Sequence, residues 1–448
     1  MKAIILAAGL SKRMKSEVPK FLHKIMGRTL VSMVADAARG AGADEIIAVI
    51  GQGGELVRAE LGDSVSYAEQ KEPLGTGDAV RAAQEYIGPE DDVLVLCGDT
   101  PLLTSGELKN LIDAHQSQDN ALTLISVVLD DATGYGRVVQ SGGVLEKIVE
   151  HKDASPEERE IKEIWAGVMA FKGEALLCAL PLLKNENAAG EYYLTEAIEI
   201  LRKAGRRAGV YQSPFPDQFI GINTRVQLAE AAAALQKSRN EAHMLAGVTM
   251  TAPSTVWIDS GVEIGQDTVL YPGVILEGSV KIGKNCEIGP NTRIVSSEIG
   301  DCVTISNSVV VQAKVGNYTS VGPFAYLRPN ADIGEHCKVG DFVEVKNSVV
   351  GNGSKASHLA YIGDACVGEG VNFGCGAITA NYDGKRKSRT VIEAGAFIGS
   401  NTNLVAPVTV GAGATVAAGS TITDDVPGGA LAIARERQVI KEGWKRKE

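Results

Sequence analysis

The sequence predicts two domains of different class. An α/β domain on an open, mostly parallel, Rossmann-like sheet is expected over residues 1–223, and a left-handed parallel β-helix of hexapeptide repeats over 248–448. Two patterns carry this. In the first half, continuous apolar runs alternate with helical stretches, the order of a parallel sheet with crossover helices. In the second half an aliphatic residue recurs every six positions, a period that suits strands and not helices. Aromatic residues make up only 5% of the chain, as a solenoid lined by single aliphatic side chains requires.

From the N-terminus, "KAIILAAG" (2–9) is an apolar strand ending in glycine, and "SMVADAARGAG" (32–42) reads as a helix. "EIIAVIG" (45–51), "DVLVLCGD" (92–99) and "ALTLISVVL" (121–129) are further strands, with helices at 78–87 and 105–117. In such sheets ligands sit beyond the C-terminal strand ends, where "LAAG" (6–9) and "CGD" (97–99) fall. Residues 224–247 are a linker. Their Ala- and Leu-rich run (224–246), free of Gly and Pro, predicts one long helix, and the heptad needed for a coiled coil is not sustained.

The hexads run as Ile258, Ile264, Leu270, Leu276, Ile282, Ile288 and Ile294, then Val315, Val321, Leu327, Ile333, Val339 and Val345, then Ile392, Ile398, Leu404, Val410, Val416 and Ile422. The fifth place of the hexad is small or β-branched (Val262, Thr268, Cys286, Thr292, Cys337, Thr402, Ala414). One side chain per hexad points inward and three hexads close one coil. Coils stack at about 4.8 Å, the spacing of paired strands.

The charge balance is −11, which argues against a nucleic-acid partner. No apolar run approaches the roughly 20 residues that span a membrane. The apolar N-terminus is followed by Lys12, Arg13, Lys15 and Lys20 rather than a cleavage pattern, so a cytoplasmic protein is expected. Seven cysteines without a C-x-x-C pair indicate neither a disulfide framework nor a zinc site, and Cys286, Cys337 and Cys366 are expected as small core residues.

"LAAGLSKRMKSEVPK" (6–20) places a small-residue turn after a strand and then a set of cations. Such a turn is often only a turn, but its N–H groups can also cradle phosphates, with Arg13 and Lys20 neutralising them. "PLGTGDAV" (73–80) adds a second tight turn at a helix start. Asp99, ending a buried strand, is either a cap or a metal ligand. Together they point to a nucleoside triphosphate with Mg²⁺. His358, one of six histidines, interrupts the hexads and reads on its own as a surface or corner residue.

The motifs "LAAG", "LGTG", "GDTP", "GYGR", "IVEHKDA", "EYYLTEA" and "GIN" resemble those of nucleotide-sugar pyrophosphorylases. With "GPFAYLRP", "FVEVKNS", "GSKASHLAYIGDA", "ANYDGKRK", "GSNTNLVAPVTVG" and "KEGWKRK", the whole chain is similar to the bifunctional bacterial N-acetylglucosamine-1-phosphate uridyltransferases / glucosamine-1-phosphate N-acetyltransferases. The resemblance implies two sites. In the first, Leu6, Ala8, Gly9 and Lys20 contact UTP, Gln70, Gly75 and Thr76 hold the nucleotide, Gly136, Glu150 and the position of Trp165 face the sugar, and Asp99 and Asn223 ligate Mg²⁺. In the second, His358 is the general base for attack on acetyl-CoA, with Glu344 orienting it. Arg328 and Lys346 clamp the glucosamine phosphate, and Tyr361 and Asn372 read the sugar. Cys375, Asn381, Tyr382, Ser400, Ala418 and Arg435 line acetyl-CoA, and Lys441 and Trp444 complete a neighbouring copy's site in a homotrimer. The cation-rich insertion "NYDGKRKSRT" (381–390) is either a solvated loop or a lid over the coenzyme's phosphates.

Three departures stand out. Ser11 and Lys12 replace the Gly and Thr of the resemblance, Cys375 replaces Ala, and Trp165 replaces an Asn that touches the sugar. Trp165 admits two readings: it packs or stacks on the sugar, or it alters sugar choice and weakens uridylyl transfer. Other functions remain open at this point. One is a monofunctional or altered-specificity sugar-1-phosphate nucleotidyltransferase whose β-helix serves oligomerisation. Another is a non-enzymatic sugar-nucleotide sensor.

Overall fold

The computed structural model describes residues 1–9 and 12–445 of the chain. The chain forms two compact units, Met1–Leu235 and Gln236–Glu448.

The first unit is built on strands β1 (Lys2–Ala7), β2 (Glu45–Ile50), β3 (Ser66–Glu69), β4 (Asp92–Cys97), β5 (Leu122–Val128), β6 (Arg137–Ser141), β7 (Val144–Val149), β8 (Glu163–Lys172) and β9 (Ala208–Gln212). They pair in the order β9-β5-β8-β4-β1-β2-β3, with β6 against β8 and β7. The pairs β1–β2, β1–β4, β2–β3 and β5–β9 are parallel, whereas β8 runs antiparallel to β4 and β5. Alternate residues of β1 enter opposite cores. Ala3, Ile5 and Ala7 pack with Val31, Val34, Leu108 and Leu111, while Ile4 packs on the other face with Val80 and Leu176. That two-sided burial explains why β1 reads as an unbroken apolar run.

Helix α1 (Leu30–Gly40) starts at Thr29, whose hydroxyl accepts from the Ser32 N–H. Helix α2 (Thr76–Ala82) is shorter than predicted and gives way to a 3₁₀ turn at Gln84–Tyr86. Helix α3 (Ser105–Ser117) is as expected, capped by Thr104. Helix α4 (Arg225–Leu245) fills the predicted linker and carries the division between the units. In its second half the amides of Gln236 and Asn240 donate to the Val256 carbonyl at 2.7 and 3.0 Å, tying the helix to the first turn of the β-helix.

The second unit is the predicted left-handed parallel β-helix. Eighteen of the nineteen hexad residues are buried, and Ile264 is partly so. Early coils repeat every 18 residues, as in the pairs Ile264 with Ile282 and Leu276 with Ile294. The gap between Ile294 and Val315 is not an interruption of the solenoid. Its coils shorten, pairing Ile294 with Val310 and Ile299 with Val315, so the period of six is lost while the stack continues. The insertion at 381–390 is absorbed in one long coil that still pairs Ala365 with Thr390.

Three flat faces result. The first holds strands such as Tyr-free 338–339, 355–356 and 372–373; the second holds 344–345 and 361–362; the third holds 348–350 and 365–367. Along the edge between the first two, the chain turns through left-handed residues: Asn307, Phe324, Phe342, Leu359 and Asn401 have φ of 46°, 58°, 56°, 35° and 56°. Cys286 and Cys337 are buried as predicted, but Cys366 is exposed. In the strand Ala365–Val367 its two neighbours take the inward positions, and strand alternation leaves the thiol outside.

Candidate active sites

The C-terminal ends of β1 and β4 meet in a cleft of about 420 Å³. Leu6, Ala8, Gly9, Lys20, Gln70, Gly75, Thr76 and Asp99 all line it, so the structure brings together most residues expected for the nucleotide. Gln70 is 7% exposed, and its amide nitrogen donates to the Gly75 carbonyl (3.1 Å) and to Asp78 (2.9 Å). The amide oxygen therefore remains as the acceptor of that side chain.

Gly75 is where only glycine fits. Its φ is +115°, and an added Cβ would lie 2.6 Å from the Tyr192 carbonyl oxygen. The turn is stitched to "EYYLTEA": Gly77 N–H donates to Tyr192 O (2.8 Å), Tyr192 N–H to Leu74 O (2.7 Å), and Leu194 N–H to the Thr76 hydroxyl (3.1 Å). Two motifs far apart in sequence thus form one wall.

Across the cleft the Lys20 ammonium is paired with the Asp99 carboxylate and also donates to Asn223 Oδ1 at 3.1 Å. Arg13 donates to the same oxygen at 2.9 Å. Asp99 and Asn223 therefore aim hard oxygens at one cation position. That donor set fits Mg²⁺, which takes one or two protein oxygens and fills the rest of its shell with phosphates and water. Ser11 and the side chain of Lys12 lie outside the described residues. Burial, with the Asp99 charge adding to it, pushes the Cys97 thiol up to about 12, so this cleft residue stays a neutral thiol.

Gly136, Glu150 and Trp165 form a second group on β6–β8. A Cβ on Gly136 would lie 3.4 Å from both Glu150 carboxylate oxygens, and Gly136 O accepts from Trp165 N–H at 2.9 Å. Burial raises the Glu150 carboxyl above the usual carboxylate range, partly countered by the Thr195 hydroxyl at 3.5 Å. The Trp165 indole packs against the core beneath, and its N–H donates to the Val168 carbonyl (3.3 Å) where β8 bulges at Gly167. Its only polar hydrogen is thus engaged within its own strand.

On the β-helix, His358 stands on the edge between the first two faces. Its Nδ1 lies 2.6 Å from Asp341 Oδ1, the residue in register on the preceding coil. The expected orienter, Glu344, does something else: it accepts from Arg328 at 2.7 Å. The physical reason is strand geometry. Asp341 shares the edge with His358, whereas Glu344 lies on the second face, in register with Tyr361.

Backbone bonds from Gly376 N to Leu359 O, Asn401 N to Cys375 O and Gly419 N to Ser400 O stack the later coils on the same edge. His358, Cys375, Ser400 and Ala418 therefore form one column. The Arg435 side chain reaches its far end, 3.6 Å from a Cβ placed on Gly419.

Arg328, Lys346 and Tyr361 form a cationic group on the second face. Lys346 pairs with Asp364 at 3.2 Å. Burial would raise the Asp364 carboxyl, but hydrogen bonds from Asn347, Lys346 and Asn381 hold it below its ordinary value. Asn381 donates to Asp364 and so joins this cluster, and Tyr382 is exposed beside it. Lys387 of the insertion is a residue that sequence reasoning placed elsewhere. It lies beside Lys346, and the proximity of that second cation pushes the Lys387 ammonium below its ordinary value. The insertion therefore brings a further cation to this group. Asn372 is not joined to that group: its register with Lys355 puts it on the first face, across the edge.

A sheet with a cleft at its C-terminal strand ends, joined to a hexapeptide solenoid with a histidine edge, defines a two-domain transferase. Comparison with known families agrees: the MobA-like NTP transferase domain matches residues 3–154, and the bacterial transferase hexapeptide (six repeats) matches 261–296, 312–347 and 389–424. The chain is 48% identical over 448 residues to the bifunctional protein GlmU of Clostridioides difficile (strain 630), covering 100% of this chain and 98% of that one. It is 52% identical over 444 residues to the bifunctional protein GlmU of Caldanaerobacter subterraneus subsp. tengcongensis, covering 99% and 97%. It is 51% identical over 444 residues, at the same coverage, to that of Geobacillus sp. (strain WCH70). The chain belongs to the GlmU family. It is a bifunctional transferase, a uridyltransferase in its first unit and an acetyltransferase in its second. Among the described residues no helix is long and apolar enough to cross a membrane.

Proposed function

We propose that the second unit acetylates glucosamine-1-phosphate with acetyl-CoA. The first unit then transfers UMP from UTP to N-acetylglucosamine-1-phosphate, releasing pyrophosphate and UDP-N-acetylglucosamine for cell-wall precursors. The observation that supports this best is the cleft shared by "LAAG", Gln70, the Gly75 turn and the Lys20–Asp99–Asn223 cluster.

At the first site the sugar phosphate attacks the α-phosphorus of UTP, a reaction that needs alignment and charge neutralisation rather than a covalent enzyme group. The Gln70 oxygen accepts from a base N–H, Gly75 and Thr76 shape the wall, and Lys20 turns its ammonium to the phosphates. Gly136 leaves room for the sugar, and Glu150 accepts from its hydroxyls. Asp99 and Asn223 would hold Mg²⁺, which supplies neutralisation of the phosphate charge.

At the second site His358 takes the proton from the sugar amine as it attacks the thioester carbonyl, and the coenzyme thiolate leaves. Arg328, Lys346 and Lys387 bind the acceptor's phosphate. The coenzyme lies along the edge from His358 past Cys375 and Ser400 to Ala418 and Arg435, with Asn381 and Tyr382 flanking it. Because Asn372 and Tyr361 occupy different faces of one solenoid, a second copy completes the acceptor site. We assign a homotrimer with sites between solenoids, and the tail residues Lys441 and Trp444 reach a neighbour's site. The use of UTP and acetyl-CoA supports a cytoplasmic location.

The test is mass-resolved product analysis with UTP, acetyl-CoA and each sugar phosphate in turn. Glucosamine-1-phosphate should yield the N-acetylated phosphate without UTP and the UDP-sugar with it. Uridylylation of glucosamine-1-phosphate with no acetylation under any condition would refute the assignment.

A further inference from the structure

The edge of the β-helix carries a pair that the resemblance does not supply. Asp341 and His358 occupy the same edge position on adjacent coils, in parallel register, with Oδ1 and Nδ1 2.6 Å apart. The Glu344 carboxylate, three residues further along, is committed to Arg328. We propose that Asp341 is the positioning residue of the acetyl-transfer site. It fixes the His358 ring, places the ring proton on Nδ1, and leaves Nε2 as the atom that accepts the amine proton.

The chemistry follows from the donor inventory. An ionised carboxylate only accepts hydrogen bonds, so the atom facing it must be N–H. A neutral imidazole carries one N–H, and fixing it on Nδ1 leaves a lone pair on Nε2. The hydrogen bond from His358 holds the Asp341 carboxyl below its ordinary value, so it is ionised at neutral pH. Lys338 on the same coil adds a favourable charge to Asp341. Lys355 lies on the adjoining face in register with Lys338, and Cys375 is the next edge residue beyond His358.

Geometry makes the pair more than a chance contact. In a parallel ladder, register sets which side chains face each other, and a slip of one residue reverses every face. Asp341 and His358 are 17 residues apart, the length of a coil at this point in the stack. Proton acceptance balances without a further reactant. The amine nitrogen bonds to the acetyl carbon, the carbon–sulfur bond breaks with its pair on sulfur, and the proton passes to Nε2. The imidazolium so formed is stabilised by the Asp341 carboxylate.

The proposal rests on the acetyltransferase reading, and the tests separate the two. His358→Ala should remove acetyl transfer; full activity in that variant would overturn the reading itself. Asp341→Ala should lower kcat by about 10- to 100-fold, the lower part of the range for general-base catalysis, and leave both KM values within about twofold. Asp341→Asn, whose amide oxygen can still accept the N–H, should lose less. In ¹⁵N-histidine spectra, assigned with His358→Gln, wild-type His358 should show a protonated Nδ1, and Asp341→Ala should populate the Nε2–H tautomer. If His358→Ala is inactive while Asp341→Ala keeps kcat within about twofold, the proposal fails. An unchanged tautomer in Asp341→Ala overturns it whatever the rate.

Discussion

Trp165 and Glu150 are the single side chains through which the proposed sugar site of the first unit can be tested. The Trp165 side chain has one N–H, the indole's, already given to the Val168 carbonyl, so it offers a sugar only an apolar surface. Asparagine at this place would present both a donor and an acceptor. A hydrogen bond in a half-buried site is worth about 1–3 kcal/mol, so Trp165→Asn should raise kcat/KM for N-acetylglucosamine-1-phosphate by roughly 10- to 100-fold. Steady-state uridylyl transfer checks this, with acetyl transfer as the unchanged control; a lower rate would make the indole a working part of the pocket. Glu150 runs the other way. Its carboxyl is raised by burial, so its folded value exceeds its unfolded one. The protonated acid favours folding at low pH, and that contribution is lost as pH rises through the folded value, leaving a buried charge that destabilises the unit at pH 7. Glu150→Gln should therefore raise Tm at pH 7 and lose that advantage toward pH 4, while KM for the sugar phosphate rises. Calorimetry at the two pH values decides it; about 1 kcal/mol moves Tm by about 2–4 °C in a unit of this size.

At the scale of elements, turns and strand register decide what meets what. Gly75 needs both a positive φ and the absence of a Cβ, because the Tyr192 carbonyl approaches so closely. Gly75→Ala should cost about 1–3 kcal/mol locally and appear chiefly as a higher KM for UTP, read by initial rates at varied UTP. The hexads were legible because each buried anchor faces the same kind of interior. The shortened coils after Ile294 were not, since losing a residue from a corner changes the spacing without changing the stack. Strand β8 was hidden because Gly167 bulges it and breaks its alternation. Asp341 was missed for a related reason. Glu344 is nearer to a familiar motif, but pairing across coils depends on corner lengths, which only the backbone reveals.

At the scale of the whole molecule, the two sites draw on separate cores and separate residues. Asp99→Ala should abolish uridylyl transfer by removing a metal ligand and leave acetylation intact. His358→Ala should do the reverse, by about 10²–10⁴-fold. Loss of both activities from either change, in a folded protein, would contradict two independent sites. Sequence motifs point to these residues because each lies in a run with its own turn or strand end. They could not show that Asn372 and Tyr361 lie across an edge from each other, the arrangement on which the proposed shared site rests. Sedimentation should accordingly find a trimer, and a fully active monomer would refute the shared site.

The edge column is also a ruler. Its marks are coils, each about 4.8 Å apart, and on the proposed coenzyme path the steps from His358 to Cys375, Ser400 and Ala418 would set a fixed distance between the reacting end of a thioester and the end of its carrier. Side-chain changes can sharpen or blur a mark, but only adding or removing a coil can move one. On that path the scaffold would measure its coenzyme by length as well as by chemistry. A change of carrier would require a change in the number of coils, so evolution can alter that preference only in whole steps.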